Sequence, residues 1–335
     1  MSITKKDRLW ITWDDHRRSR ELAEALECDY LVLESGAHWL LRYFYLGLKT
    51  IIYLTKRRPK VVISQNPSVV LAAILCFIKP VFRFTLVVDR HSNFKIESRK
   101  KKNLKWKVFH FLSDYSLRKA DITVVTNQAA KDYVEALGAK SCILPDKIPN
   151  LTPTETFSRS RRFCFFFICT FSDDEPVEAV LDGFAKVSES NDVTLYVSGN
   201  YRKFKYYNKY AGKQGINFLG YVADQEYVNY LYSCHAVIVL TTMPMTLNCG
   251  SYEAVSAAKP QVVSESKEIS SYFYKGAVSV SPLNFSKEGL ADALKEMIDN
   301  YQRLESEQVE LRKEIDFLWQ KRFEELKVGL RQGEP

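Results

Sequence analysis

Glu253 and the six residues that lead up to it, Thr246, Leu247, Asn248, Cys249, Gly250 and Ser251, form the segment best suited to binding chemistry. They follow the apolar run Ala236 to Leu240 and precede a helical stretch that Lys259-Pro260 closes before a second apolar run, Gln261 to Ser264. A helix that opens in this turn aims free N–H groups, and the positive end of its dipole, at the mouth of a sheet, where an anion is stabilised. About one turn in, the Glu253 carboxylate can accept two hydrogen bonds from a ribose diol. The plain alternative is an acid that complements the helix dipole.

Two further constellations lie in the first half. His16, Arg17 and Arg18 follow the strand-like run Leu9 to Trp13. Arginine forks match phosphate oxygens, whereas arginine at a helix start opposes the dipole, so decoration alone is a poor explanation. Asp89 and His91 end the apolar run Phe84 to Asp89, and groups just past a buried parallel strand lie where open α/β sheets bind ligands. An imidazole there can carry a proton at physiological pH, with Asp89 as a base or as the group that orients it.

The elements that must position these residues come in two series. Leu9–Trp13, Tyr30–Leu33, Val61–Ser64, Phe84–Asp89 and Ile122–Thr126 are strand candidates, each followed by a helix-length segment. Phe163–Cys169, Val193–Ser198, Ile216–Leu219, Ala236–Leu240, Gln261–Ser264 and Val278–Ser281 repeat the alternation, which makes parallel sheets. Pro145, Pro149 and Pro153 mark the break. The expected layout is a first domain over 1–150, a linker over 151–162, a second domain over 163–303 and a terminal helix over 304–335, with Leu311, Ile315, Leu318, Phe323 and Leu326 on its apolar stripe.

Composition sets the class. With 46% apolar residues the chain is globular. Its longest uncharged stretch, Val61 to Ile78, narrows to ten purely apolar residues from Val69, too few to span a bilayer. Charges within Met1 to Asp7 occupy the place of a signal peptide's apolar core, so export is not expected. The seven cysteines have no CxxC spacing, no zinc-like histidine spacing, and read as reduced, mostly buried thiols of a cytosolic protein.

The charge split is informative. Residues 1–150 hold 27 Lys and Arg against 15 Asp and Glu, whereas the remainder holds 21 against 25. The cations concentrate at Lys56, Arg57, Arg58 and Lys60 and through Lys95 to Lys119, where Trp106, Phe109, Phe111 and Leu112 interleave. Such a run suits an anionic membrane surface; nucleic acid competes for the same cations, and a solvated face over core aromatics is the plain reading. The membrane is the expected partner, and nucleic acid is not.

Glu253-Ala254, Ala257-Ala258-Lys259-Pro260 and Val262-Val263 resemble the donor site of glycosyltransferases of the two-Rossmann-domain type (GT-B), in particular the large retaining family four. The likeness runs in order over about 65 residues from Gly215 to Val280 through Gly220-Tyr221-Val222, Tyr272-Phe273 and Gly276. It implies an α/β fold of two Rossmann-like domains whose parallel sheets face each other across a cleft, with the C-terminal helix crossing back. It also implies a retaining transferase that takes a UDP- or GDP-linked sugar on the second domain, with no cofactor and no metal, and passes it to a lipid-linked or glycan acceptor on the first. His91 resembles the family's histidine after this strand, and His16, Arg17 and Arg18 fall in a loop that borders the acceptor.

Two departures stand out. Met245 occupies the place of the family's first glutamate, and Ser172, Asp173, Asp174 and Glu175 stand where the diphosphate-neutralising arginine and lysine belong. Leaving-group charge must still be stabilised. Arg202 and Lys203, just after Gly199-Asn200, are the available substitutes, with Ser172 as a further donor contact. The expected role is surface polysaccharide assembly by a peripheral membrane protein. A silent GT-B-shaped partner subunit and a sugar-nucleotide epimerase remain as alternatives.

Overall fold

The computed structural model describes residues 7–36, 38–65, 68–92, 95–154 and 161–332, without the side chains of 39, 40, 331 and 332. The chain divides into two compact units, Met1–Lys147 with Trp319–Pro335, and Ile148–Leu318.

The first unit alternates β1 (Arg8–Thr12), α1 (Arg17–Ala25), β2 (Asp29–Val32), α2 (Trp39–Arg57), β3 (Val61–Gln65), α3 (Val69–Phe82), β4 (Thr85–Arg90), α4 (Leu104–Lys119), β5 (Ile122–Val125), α5 (Gln128–Ala136) and β6 (Ser141–Ile143). Its sheet is parallel in the order β2-β1-β3-β4-β5-β6. Every residue of β3 and β4 is buried, as expected of central parallel strands covered on both faces. Side chains alternate between those faces: Leu9, Ile11, Val62, Leu86 and Val88 pack with α2 and α3, whereas Trp10, Val61, Ile63 and Val87 pack with α1 and the end of the terminal helix.

The second unit runs β7 (Phe163–Phe167), α6 (Val177–Ser188), β8 (Val193–Ser198), α7 (Tyr207–Tyr210), β9 (Ile216–Gly220), α8 (Asp224–Ser233), β10 (Ala236–Val239), α9 (Cys249–Ser256), β11 (Gln261–Ser264), α10 (Lys267–Tyr272), β12 (Ala277–Val280) and α11 (Lys287–Asp299). Its order is β12-β11-β10-β7-β8-β9, again parallel. The sequence Phe-Cys-Phe-Phe-Phe of β7 splits the same way, Phe165 and Phe167 against α6 and α11, Cys164 and Phe166 against α8 and α9.

The terminal helix α12 (Tyr301–Gln332) starts three residues before the expected 304. Leu311 and Ile315 pack with Tyr252 and Phe273 of the second unit, and Trp319, Phe323, Leu326 and Leu330 belong to the core of the first. No described helix is long and apolar enough to cross a membrane. Strand β6 had no counterpart in the sequence reading, whose first series of strands ends at Thr126. It is three half-buried residues on a sheet edge, a run too short to show a period. Of the expected linker, residues 155–160 lie outside the described residues, as do residues 1–6 of the N-terminus.

Candidate functional site

In each unit the strand order reverses once, between β1 and β3 in the first and between β7 and β10 in the second. Ligands of open α/β sheets bind outside the carboxyl ends of the strands at such points. The candidate residues gather at both.

In the first unit Thr12 closes β1 and donates to Gln65 Oε1 at the end of β3 (3.2 Å). His16 is the N-cap of α1, its Nδ1 accepting from Arg18 N at 3.3 Å. Capping satisfies one of the helix's orphan donors, and it fixes where the following arginines point. Arg18 points inward. Its Nη2 donates to Asp89 Oδ1 (2.8 Å) and to the Leu144 carbonyl (2.9 Å), its Nε to Asp89 Oδ2 (3.0 Å), and its Nη1 to Asp146 Oδ1 (2.5 Å).

This corrects two expectations. Arg18 is no exposed phosphate contact, because its side chain is 3% exposed and its fork is committed to two carboxylates. Asp89 is a poor candidate base as well: the Arg18 guanidinium and the His91 ring hold its buried carboxyl far below the usual carboxylate range, against the opposing effect of burial. What Asp89 does is orient. His91 Nδ1 lies 3.2 Å from Asp89 Oδ2. A carboxylate only accepts, so Nδ1 carries the hydrogen and Nε2 is left as the basic nitrogen.

The His16 ring sits 5.1 Å from that of His91, centroid to centroid. Burial, with His91 adding to it, pushes the His16 pKa down. Arg17 remains half-exposed, 3.9 Å from Glu21 one turn on. His16, Arg18, Asp89 and His91 therefore form one cluster with Arg17 on its border. Asp146 is the member that the sequence did not disclose, since it sits between Pro145 and Lys147 in a segment read as punctuation.

In the second unit the turn after β10 leads into a helix. Helix α9 opens at Cys249, so Thr246, Leu247 and Asn248 are the turn, whereas Cys249, Gly250 and Ser251 are the first helical residues. Thr246 folds back onto the Pro244 carbonyl, and Leu247 packs against the apolar cluster around Tyr252. Gly250 and Ser251 are buried. A Cβ on Gly250 would come within 3.1 Å of both Ile168 and Val239. Glycine there lets the helix start lie directly on β7 and β10, the helix–strand approach that nucleotide-binding folds use.

Asn248 Oδ1 is buried and accepts no hydrogen bond from the described residues. Glu253 is half-buried, and Tyr227 of α8 donates its hydroxyl to Oε2 at 2.5 Å. The carboxylate is thereby held by a group that the sequence reading missed; a lone tyrosine 26 residues upstream leaves no signal.

The loop after β7 is organised by its own acids. Glu175 accepts from Thr170 N (2.9 Å) and Ser172 N (3.0 Å), on either side of Phe171 in a left-handed conformation. Successive N–H groups around such a residue make an anion cradle, and here a carboxylate of the chain fills it. Burial raises the Glu175 pKa, while those N–H donors oppose the rise. Asp174 accepts from the Thr241 hydroxyl (2.5 Å), and its carbonyl from Thr242 N (2.9 Å), which ties the loops after β7 and β10 together. Ser172, expected as a donor contact, spends its hydroxyl on Asp174 at 2.5 Å.

Gly199 follows β8 with a φ of +93°, and a Cβ there would meet the Cys169 carbonyl at 2.1 Å, so only glycine fits. Asn200 caps the short 3-10 turn that follows, and Arg202 and Lys203 stand exposed on that turn. The cysteines are free thiols, buried at 28, 76, 164, 169 and 234, half-buried at 142 and exposed at 249.

Residues 162–300 match the family described as glycosyl transferases group 1, a span that contains the whole stretch from Gly215 to Val280. No curated protein matches the chain in sequence. Among solved structures, sucrose-phosphate synthase from Thermosynechococcus elongatus superposes with a TM-score of 0.74 at 12% identity, over 92% of this chain and 84% of that one. HepE from Anabaena, solved in complex with UDP-glucose, gives 0.71 at 15% identity over 96% and 99%. A protein from Listeria monocytogenes assigned as a UDP-N-acetylglucosamine 2-epimerase gives 0.60 at 11% identity over 90% and 91%. Residues 162–300 thus carry the pattern of the glycosyl transferases group 1, in a chain whose two parallel α/β units and long C-terminal helix are those of the GT-B glycosyltransferase fold.

Proposed function

We propose that the protein is a retaining glycosyltransferase that works without cofactor or metal. Its second unit holds a UDP- or GDP-linked sugar, its first unit engages a lipid-linked or glycan acceptor, and it serves surface polysaccharide assembly as a peripheral protein of an anionic membrane. The observation that carries the donor assignment is the start of α9: it lies at the strand-order reversal, packed tightly through Gly250, with a buried unsatisfied acceptor at Asn248 and a tyrosine-held carboxylate at Glu253. Those are the parts a nucleotide needs, N–H donors for phosphate and a fixed carboxylate for the ribose. HepE, similar in fold and solved in complex with UDP-glucose, supports the same choice of ligand.

On the acceptor side, His91 Nε2 handles the proton of the incoming hydroxyl, His16 and Arg17 contact the acceptor, and Arg202 and Lys203 assist the diphosphate. The alternative base for that single proton is the leaving phosphate of the retaining reaction, in which case His91→Ala keeps its turnover.

A silent partner subunit is favoured by one specific observation, the Glu175 carboxylate lodged in the N–H cradle after β7. Incubation with UDP-glucose, UDP-N-acetylglucosamine and GDP-mannose, with and without a total membrane lipid extract, separates the readings. The proposal expects nucleoside diphosphate release that depends on the extract. Conversion of the sugar without extract would instead identify an epimerase, and nucleotide binding with no release under any condition would identify the silent subunit.

A further inference from the structure

Helices α2, α3 and α4 cover one face of the first sheet, and their outer surface is apolar. Phe44 is 75% exposed, Phe77 76% and Phe111 70%, with Val81 and Leu104 equally open. Between the three helices runs a groove of about 740 Å³ walled by Phe44, Leu48, Ile51, Phe77, Ile78 and Phe111. A soluble protein rarely leaves so many large apolar side chains together in water without an interaction to hide them. Of the aromatics in the basic run, Phe111 faces solvent, whereas Trp106 and Phe109 are half-buried.

The charges around the groove select the occupant. Helices α2 and α3 contain no acidic residue, and α4 contains one, Asp114, which Arg99 holds. Lys56, Lys102 and Lys107 are exposed on these helices or at the start of α4, Lys49 is half-buried over the Tyr45 ring at 4.4 Å, and Lys101 and Lys105 stand over the Trp106 ring at 5.8 and 5.4 Å. A second copy would bring this basic rim against itself, since a two-fold interface pairs identical patches. An anionic bilayer offers hydrocarbon at the centre and negative headgroups all round.

We propose that this face is a membrane-docking surface: α2, α3 and α4 lie in the plane of an anionic bilayer with Phe44, Phe77 and Phe111 among the acyl chains and the lysines at the headgroups. The inference deepens the membrane-associated reading above by naming the surface and the mode, insertion as well as attraction. It also links membrane to site, because Arg42 of α2 donates to the Trp13 carbonyl (3.1 Å) and to Asp14 (2.9 Å), in the loop that leads to His16.

The test is flotation of the full-length chain with vesicles of phosphatidylcholine, alone or mixed with phosphatidylglycerol, at low and high salt and without sugar nucleotide. The wild type should bind the mixed vesicles, and salt should weaken that binding without abolishing it. The triple variant Phe44→Ser/Phe77→Ser/Phe111→Ser should partition on the order of a hundredfold less well, because the apolar area of three rings is lost while every cation stays. Its thermal midpoint should not fall, since all three rings are exposed. Wild-type-like flotation of the triple variant, or no flotation of the wild type, overturns the proposal. So does a wild-type dimer that the triple variant converts to monomer with vesicle binding unchanged, which assigns the groove to a second copy. Because no nucleotide is present, failure here leaves the transferase reading to be judged on its own assay.

Discussion

Arg18→Met should lower the unfolding free energy by about 3–5 kcal/mol, the usual cost of breaking a buried ion pair from one side. Among the described residues the guanidinium alone bonds both Asp89 oxygens, and it also bridges to Asp146 and the Leu144 carbonyl. Methionine fills much of the volume, so the loss is one of charge compensation and not of packing. Chemical denaturation at neutral pH measures it. Acidification supplies a second readout with a defined sign.

In the wild type the Asp89 pKa is depressed by Arg18 and His91, so its contribution is present above the unfolded carboxyl pKa, about 3.9, and is lost as the pH falls below it. In the variant the stranded carboxyl is raised and takes up a proton. The gap between the two proteins should therefore narrow as the pH drops. A variant within 1 kcal/mol of the wild type would show that the cluster is far more solvated than its exposure, 3% for Arg18 and 1% for Asp89, implies.

His91→Ala should reduce turnover roughly 10²- to 10⁴-fold, the range for loss of a general acid–base group. Its Nδ1 is committed to Asp89, its side chain is 15% exposed, and it follows β4 at the carboxyl edge of the sheet. Affinity for the nucleotide donor should stay within about twofold of the wild type, because a group that acts in the transition state moves rate more than ground-state binding. Asp89→Asn should reproduce part of the defect by freeing the tautomer, at a cost in stability that His91→Ala does not share. Full turnover of His91→Ala would remove the histidine from the chemistry and leave it as packing beside His16.

The sequence disclosed what rests on period and composition. Continuous apolar runs such as Val61–Ile63 and Phe163–Phe167 are unmistakable as buried strands, and their spacing requires parallel sheets. The α9 start was legible because a glycine, a polar turn and a following acid occur in fixed order. What stayed hidden depends on distance in sequence. Arg18 and Asp146 are 128 positions apart, Tyr227 and Glu253 are 26, and nothing local distinguishes an arginine that turns inward from one that faces a ligand. The acids at 174 and 175 were visible as a departure, but that Glu175 fills the backbone cradle and Asp174 joins two loops is a matter of geometry alone. Exposure of Phe44, Phe77 and Phe111 was equally invisible, since an apolar helix face reads the same whether it covers a core or a lipid.

Calorimetric titration of UDP and GDP into the wild type and into Glu253→Gln tests the central claim, that the second unit is a nucleotide-sugar site built on α9. The expected result is saturable one-to-one binding of one of the two nucleotides, weakened in the variant by about 1.5–3 kcal/mol, roughly ten- to more than a hundredfold, as for a hydrogen bond to a charged group. The variant should fold normally, because the Tyr227 hydroxyl can donate to the glutamine oxygen as it does to Oε2. Equal affinity of variant and wild type, or no binding of either nucleotide at millimolar concentration, would contradict the account.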